Sequence, residues 1–159
     1  MAQHTGPDMT LSSTAGAGMR VAVISARWNA EITDQLHERA IATATASGAK
    51  VEQWRVAGAL ELPVAVAAAC KKFDAVIATG CVIEGETEHF RVVCDAVTYG
   101  LTRIALDHGT PVGNGVLTVS NQAQAIDRAG GPGAKEDKGA DSAIAAIQAA
   151  QVLKEISEL

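Results

Sequence analysis

The sequence predicts a single α/β domain in which helices cover both faces of a four-stranded parallel sheet. Three observations lead there. Four short segments are too apolar to leave one face in water, as expected of strands in a covered parallel sheet. Segments of helical period alternate with them. The 159 residues are of one-domain length and 48% hydrophobic but only 3% aromatic, and small apolar side chains suit tight helix-on-sheet layers.

Taken in order, residues 1–18 are rich in Gly, Ser, Thr and Ala without a period, and are expected to be a disordered tail. The domain spans 19–159. Arg20 to Ser25 reads as the first strand. Asn29 is placed to cap a helix whose buried side repeats as Ile32, Leu36 and Ala40, and Gly48 can end it. Val51 to Val56 is the second strand. Gly58 to Pro63 follows, and Pro63 suits the first turn of a helix running from Val64 to Lys72.

The third strand contains Ala75-Val76-Ile77-Ala78 and leads into the junction Gly80 to Phe90. That junction is expected to turn on Gly85 and open a long helix, with Thr87 as N-cap. The helix carries an apolar stripe of Val92, Val93, Ala96, Val97, Gly100, Leu101 and Ile104, with His89 at its head. A helix N-terminus presents free N–H groups and partial positive charge, a setting that attracts anions. After the turn Asp107 to Pro111 comes a fourth strand, Val112 to Val119, interrupted by Gly113-Asn114-Gly115. Asn121 to Arg128 is a short helix, the segment 129–133 breaks it, and a last helix runs over 140–156. Short right-handed crossovers make this a flavodoxin-like three-layer α/β/α sandwich. The G-x-G-x-x-G fingerprint of a dinucleotide-binding domain is missing after the first strand, where Ser25-Ala26-Arg27-Trp28-Asn29 stands, and so is a P-loop.

A formal net charge of −5 without a basic run argues against nucleic acid or an anionic membrane as partner. No apolar run is long enough to span a bilayer, and the N-terminus has no basic-then-apolar signal, so the expected compartment is the cytoplasm. The three cysteines, Cys70, Cys81 and Cys94, read as buried thiols of a reducing compartment, with Cys81 alone worth weighing as a nucleophile. The four histidines are scattered, so no metal site is expected. In a parallel sheet, loops at the strand carboxyl ends converge. They carry Trp28, Ala59 with Glu61, the segment Glu84 to His89, and Asn114. Trp28 either stacks a flat heterocycle or covers the core edge; Arg128 and Lys138 either recognise an anion or are surface charges.

Read together, these loops resemble the 6,7-dimethyl-8-ribityllumazine synthase family. The matching motifs are Gly58-Ala59-Leu60-Glu61-Leu62-Pro63, Gly80-Cys81-Val82-Ile83 with Gly85, Thr87, His89 and Phe90, and Cys94-Asp95-Ala96-Val97 with Gly100-Leu101-Thr102. They continue through Thr110-Pro111-Val112 with Asn114 to Thr118, Asp127-Arg128-Ala129-Gly130, and Lys138-Gly139, so the resemblance spans Val21 to Ile156. It implies condensation of 5-amino-6-ribitylaminouracil with 3,4-dihydroxy-2-butanone 4-phosphate, releasing phosphate and water, without a cofactor. It implies that Trp28 stacks on the pyrimidine. Ala59, Leu60 and Glu61 would contact this substrate, Ala59 and Glu61 along the ribityl chain, with Val82 and Ile83 lining the ring pocket. Gly85, Glu86 and Thr87 would form the phosphate loop, and His89 would move protons. Asn114, Lys138 and the phosphate-clamping Arg128 would reach in from the neighbouring subunit of a homopentamer. A functional link to riboflavin synthase is also implied.

The chain departs from the family pattern by placing Glu84 and Arg91 with reversed charge signs, and a Glu84–Arg91 pair is expected. The long link from Gly131 to Asp137 is expected to favour a free pentamer over a shell. Two other readings stay open: a noncatalytic lumazine- or flavin-binding module on this fold, and an unrelated monomeric small-molecule binder of flavodoxin type.

Overall fold

The computed structural model describes residues 9–159. Four strands, β1 (Arg20–Ala26), β2 (Lys50–Val56), β3 (Ala75–Ile83) and β4 (Val112–Val119), form one sheet in the order β2-β1-β3-β4. Every pairing is parallel, with Val21 beside Val51 and Ala75, and Ala78 beside Asn114. The helices are α1 (Ala30–Ala46), α2 (Leu62–Cys70), α3 (His89–His108), α4 (Gln122–Ile126) and α5 (Lys138–Ser157), with a 3₁₀ turn at Ala59–Glu61. The flavodoxin-like three-layer sandwich read from the sequence is the fold observed.

Alternation along the central strands builds two cores. Ala22, Ile24, Val76 and Ala78 face α2 and α3, where they meet Leu62, Val66, Val93, Val97 and Leu101. Val21, Val23, Ala75 and Ile77 face the other way, against Ala40, Ala44, Ala143 and Ile147 of α1 and α5. Fully burying a side chain such as Ile77 or Leu36 contributes about 1.5–3 kcal/mol. Alanines on α1 and α5 let those helices sit close to the sheet and to each other. A third cluster, with Ile32, Leu36, Cys81, Leu117, Val119 and Ala125, closes the carboxyl end of the sheet beneath the loops.

One polar chain crosses the interior. Ser25 Oγ lies 2.5 Å from both His37 Nδ1 and Thr79 Oγ1, and His37 Nε2 lies 2.7 Å from Gln53 Oε1. With the Gln53 carbonyl as acceptor, Nε2 carries the imidazole proton and Nδ1 accepts from the Ser25 hydroxyl. The network links β1, β2, β3 and α1.

Several expectations need correction. The strand β3 continues to Ile83, so Gly80 lies within it and the turn is confined to Glu84–Glu88. The strand β4 is continuous through Gly113-Asn114-Gly115. Its glycines face α5: a Cβ on Gly113 would collide with the Ser142 carbonyl oxygen, so their absence of side chain is what lets α5 dock. Of the anticipated stripe on α3, Val93, Val97 and Leu101 are buried, whereas Val92 and Ala96 are exposed. Residues 1–8 of the expected tail lie outside the described residues. The remainder is attached: Leu11 and Ala15 pack on the α1/α5 core, and Gly16 N–H donates to the Ser47 carbonyl at 2.9 Å.

Candidate active site

The site is assembled at the carboxyl ends of β1, β2 and β3. Trp28 leaves β1, and its N–H donates to the Ala57 carbonyl at 3.0 Å, tying the loop after β1 to the loop after β2. Its indole is 73% exposed, so it stands in solvent as an uncovered flat surface instead of packing over the core edge. Asn29 follows with φ 59° and ψ 53°, a left-handed conformation that few residues other than glycine adopt. It occupies the position before α1, yet its side chain does not cap the helix. Its Nδ2 donates instead to the Cys81 carbonyl at 2.9 Å, pinning the Trp28 loop to the end of β3.

These loops enclose an open cleft of about 340 Å³. Nine of the residues singled out from the sequence line it: Trp28, Ala59, Leu60, Glu61, Val82, Ile83, Gly85, Thr87 and His89. Asn29, Gly58, Cys81, Phe90 and Val93 complete the wall. The buried lining, Ala59, Cys81 and Val93, is apolar, and the exposed lining sets Glu61, Thr87 and His89 beside the Trp28 indole, a division suited to a flat heterocycle carrying a hydroxylated chain.

The phosphate-loop candidates sit at the start of α3. Glu88, not Thr87, holds the N-cap position, and His89 is the first helical residue, at the head of the stripe. Thr87 Oγ1 accepts a long 3.4 Å bond from the His89 N–H. The carboxylate of Glu88 lies 3.5 Å from Arg91 Nε, so the charge pair of this loop is Glu88–Arg91 and not Glu84–Arg91. Glu84 is exposed, and its N–H donates to the Val119 carbonyl at 2.9 Å. Glu86 is exposed on the same loop but is not part of the cleft wall.

Cys81 is 3% exposed, and burial pushes its thiol up to about 11. A thiol so held is protonated at neutral pH and does not serve as nucleophile. Among the described residues, no group of three or more His, Cys, Asp or Glu side chains is placed to hold a metal ion.

Besides Glu86, three sequence candidates stand apart from the cleft. Asn114 lies inside the edge strand β4 and not at its carboxyl end; its Oδ1 accepts from the Val116 N–H at 3.0 Å. Arg128 and Lys138 flank the link between α4 and α5, where Lys138 N–H donates to the Arg128 carbonyl at 2.9 Å. Consequently, among the described residues, no Lys or Arg lines the cleft. The residues that sequence reasoning missed are Asn29, whose pattern suggests only a cap, and Glu136, which lies 3.3 Å from Arg128 and 3.4 Å from Lys138.

The sequence profile of the 6,7-dimethyl-8-ribityllumazine synthase family matches residues 18–154. The chain belongs to that family. It is 74% identical to the 6,7-dimethyl-8-ribityllumazine synthase of Corynebacterium urealyticum, over 95% of this chain and 94% of that one. The enzyme of the same name from Corynebacterium jeikeium is 69% identical over 98% of both chains. That of Mycobacteroides abscessus is 49% identical over 94% of both. The lumazine synthase match therefore covers every loop that contributes to the cleft, and it extends through β4 and α4 to the segment carrying Arg128 and Lys138.

Proposed function

We propose that this lumazine synthase family member condenses 5-amino-6-(D-ribitylamino)uracil with 3,4-dihydroxy-2-butanone 4-phosphate. The products are 6,7-dimethyl-8-ribityllumazine, inorganic phosphate and water, the penultimate step of riboflavin biosynthesis. The observation that carries the reading is the single cleft in which an exposed indole, an apolar buried lining and a histidine meet at the start of a helix.

In this reading the pyrimidine stacks on Trp28 above Val82 and Ile83. Ala59, Leu60 and Glu61 bind the same substrate, with Ala59 and Glu61 along the ribityl chain. The phosphate of the second substrate lies at Gly85, Glu86 and Thr87, where the first N–H groups of α3 are free of intrahelical partners. The amine must attack a carbonyl, a proton must leave the neighbouring carbon, and phosphate must depart. His89 gives and takes these protons, a role worth about 10²–10⁴-fold. Holding two substrates together supplies much of the remainder.

The site is shared between copies of the chain. Support comes from charge: a phosphate dianion needs fixed cations, and among the described residues the cleft wall contributes no Lys or Arg of its own. Arg128, Lys138 and Asn114 of a neighbouring subunit supply phosphate and substrate contacts. Further support is the exposed apolar stripe Val92, Ala96, Tyr99 and Leu106 along α3, which with Val64 of α2 offers a face for another subunit. The assembly is a homopentamer working in the cytoplasm, with riboflavin synthase taking its product.

Purified protein mixed with both substrates is expected to generate lumazine absorbance and one phosphate per turnover. Neither signal appearing, with either substrate in excess, contradicts the reading.

A further inference from the structure

Arg128 and Lys138 face each other across the antiparallel bridge between Ala129 and Asp137. Backbone bonds organise this hairpin, with Lys135 Nζ 3.2 Å from Asp127 Oδ2 across it: Gly130 N–H donates to the Glu136 carbonyl at 3.0 Å and Glu136 N–H to the Asp127 carbonyl at 3.0 Å. Asp137 Oδ1 then accepts from Ala140 N–H at 3.0 Å at the start of α5, and its Oδ2 lies 2.7 Å from Arg39 Nε. None of these bonds uses the Glu136 side chain.

That side chain is turned to the two cations. Its Oε2 lies 3.3 Å from Arg128 Nε and its Oε1 lies 3.4 Å from Lys138 Nζ. Arg128 Nη1 meanwhile donates to the Gln124 carbonyl at 2.9 Å, and α4, which carries Gln124, is capped by Asn121. The guanidinium is thus gripped on its Nε and Nη1 sides. Its Nη2 makes no hydrogen bond among the described residues. A free arginine or lysine side chain samples many rotamers, and a planar fork held in advance loses less freedom when it binds an anion.

We infer that Glu136 is a positioning residue: its carboxylate holds Arg128 and Lys138 side by side, with the open Nη2 edge of the guanidinium presented to phosphate. The inference rests on the proposed reading of Arg128 and Lys138 as substrate-binding cations. Both ion pairs are about one-third exposed, so their direct contribution to folding is small. The effect of Glu136 therefore falls on substrate binding. Lys138 Nζ also lies 3.8 Å from Asp141 Oδ2, so Lys138 is shared between two carboxylates while Glu136 alone bridges it to Arg128.

The test is steady-state kinetics of Glu136→Ala, Glu136→Gln, Arg128→Ala and the Arg128→Ala/Glu136→Ala double variant, with the denaturation midpoint and assembly size measured in parallel. Glu136→Ala is expected to raise KM for 3,4-dihydroxy-2-butanone 4-phosphate by about ten-fold while kcat stays within about three-fold. Glu136→Gln, which keeps the side-chain length and a polar oxygen but removes the charge, is expected to raise it less. In the Arg128→Ala background, loss of Glu136 is expected to raise that KM by less than it does in the parent, because only its hold on Lys138 is left. Midpoint and size are expected to match the parent. An unchanged or lowered KM in Glu136→Ala overturns the inference, as does a fall in kcat accompanied by a lowered midpoint. If Arg128→Ala raises KM and Glu136→Ala does not, only the role of Glu136 falls. If Arg128→Ala itself leaves KM unchanged, the phosphate reading falls and this inference with it.

Discussion

Asn29 shows how one residue sets the geometry of the cleft. Its left-handed backbone turns the chain out of β1 and into α1, and its amide bridges to the Cys81 carbonyl across the sheet edge. The two roles separate by substitution. Glycine keeps the backbone and loses the bridge; alanine loses both. A left-handed non-glycine residue costs about 1–2 kcal/mol, and a hydrogen bond contributes about 1 kcal/mol. Asn29→Ala is therefore expected to lower stability by about 1–3 kcal/mol in urea denaturation, and Asn29→Gly by less. Equal losses would show that the backbone conformation carries no strain. The sequence led to a capping role because asparagine before a helical pattern usually caps. Nothing local reveals that its side chain is drawn to a strand 52 residues away. The same limit hides the link of Ser25 to His37 and Thr79, whereas Trp28, Ala59 and His89 were legible because each sits in a motif at a strand end.

Among the elements, β4 and α5 carry the clearest lesson. The Gly113-Asn114-Gly115 run reads as an interruption, since glycine weakens a strand. In the fold those glycines lie against Ser142 of α5, so a loss of strand propensity is offset by close helix-on-strand packing. Strand identity was legible from apolar runs, and the end of β3 was not, because Gly80 resembles a turn residue while sitting paired with Val116. The substitution Gly113→Val should push α5 from the sheet, at a cost of about 1–3 kcal/mol as for other overpacked sites. A reduced denaturation midpoint with retained helical circular dichroism is the expected result. A midpoint equal to the parent's would mean that α5 does not need this close approach. Because Lys138 begins α5, the same variant is expected to weaken substrate binding.

At the scale of the whole molecule, the buried network couples stability to pH. Burial lowers the pKa of His37 below its ordinary 6.5, and Arg55 acts in the same direction. The bond to Gln53, together with the charges of Asp34 and Glu38, acts the other way without reversing it. Below pH 6.5 the unfolded chain takes up a proton at this site that the folded chain resists. Stability is thus expected to fall as pH drops through 6.5 toward the lower folded value, with no contribution from His37 above that window. Urea titrations of the parent and of His37→Gln, run as a pH series, check this. The parent should show the steeper acid-side slope, and identical slopes would contradict it.

The central claim is that chemistry occurs between two copies of the chain, His89 and the cleft from one and Arg128 from the next. Complementation tests it most directly. His89→Ala and Arg128→Ala proteins are each expected to be slow, the first in turnover and the second in using the butanone phosphate. Unfolding and refolding them together in equal amounts should scatter the subunits, so that about one interface in four pairs an intact cleft with an intact Arg128. The account predicts that the mixture recovers about a quarter of parental activity, far above the mean of the two variants. A mixed assembly whose activity equals that mean would place His89 and Arg128 in the same subunit's site, and the shared-site account would be wrong.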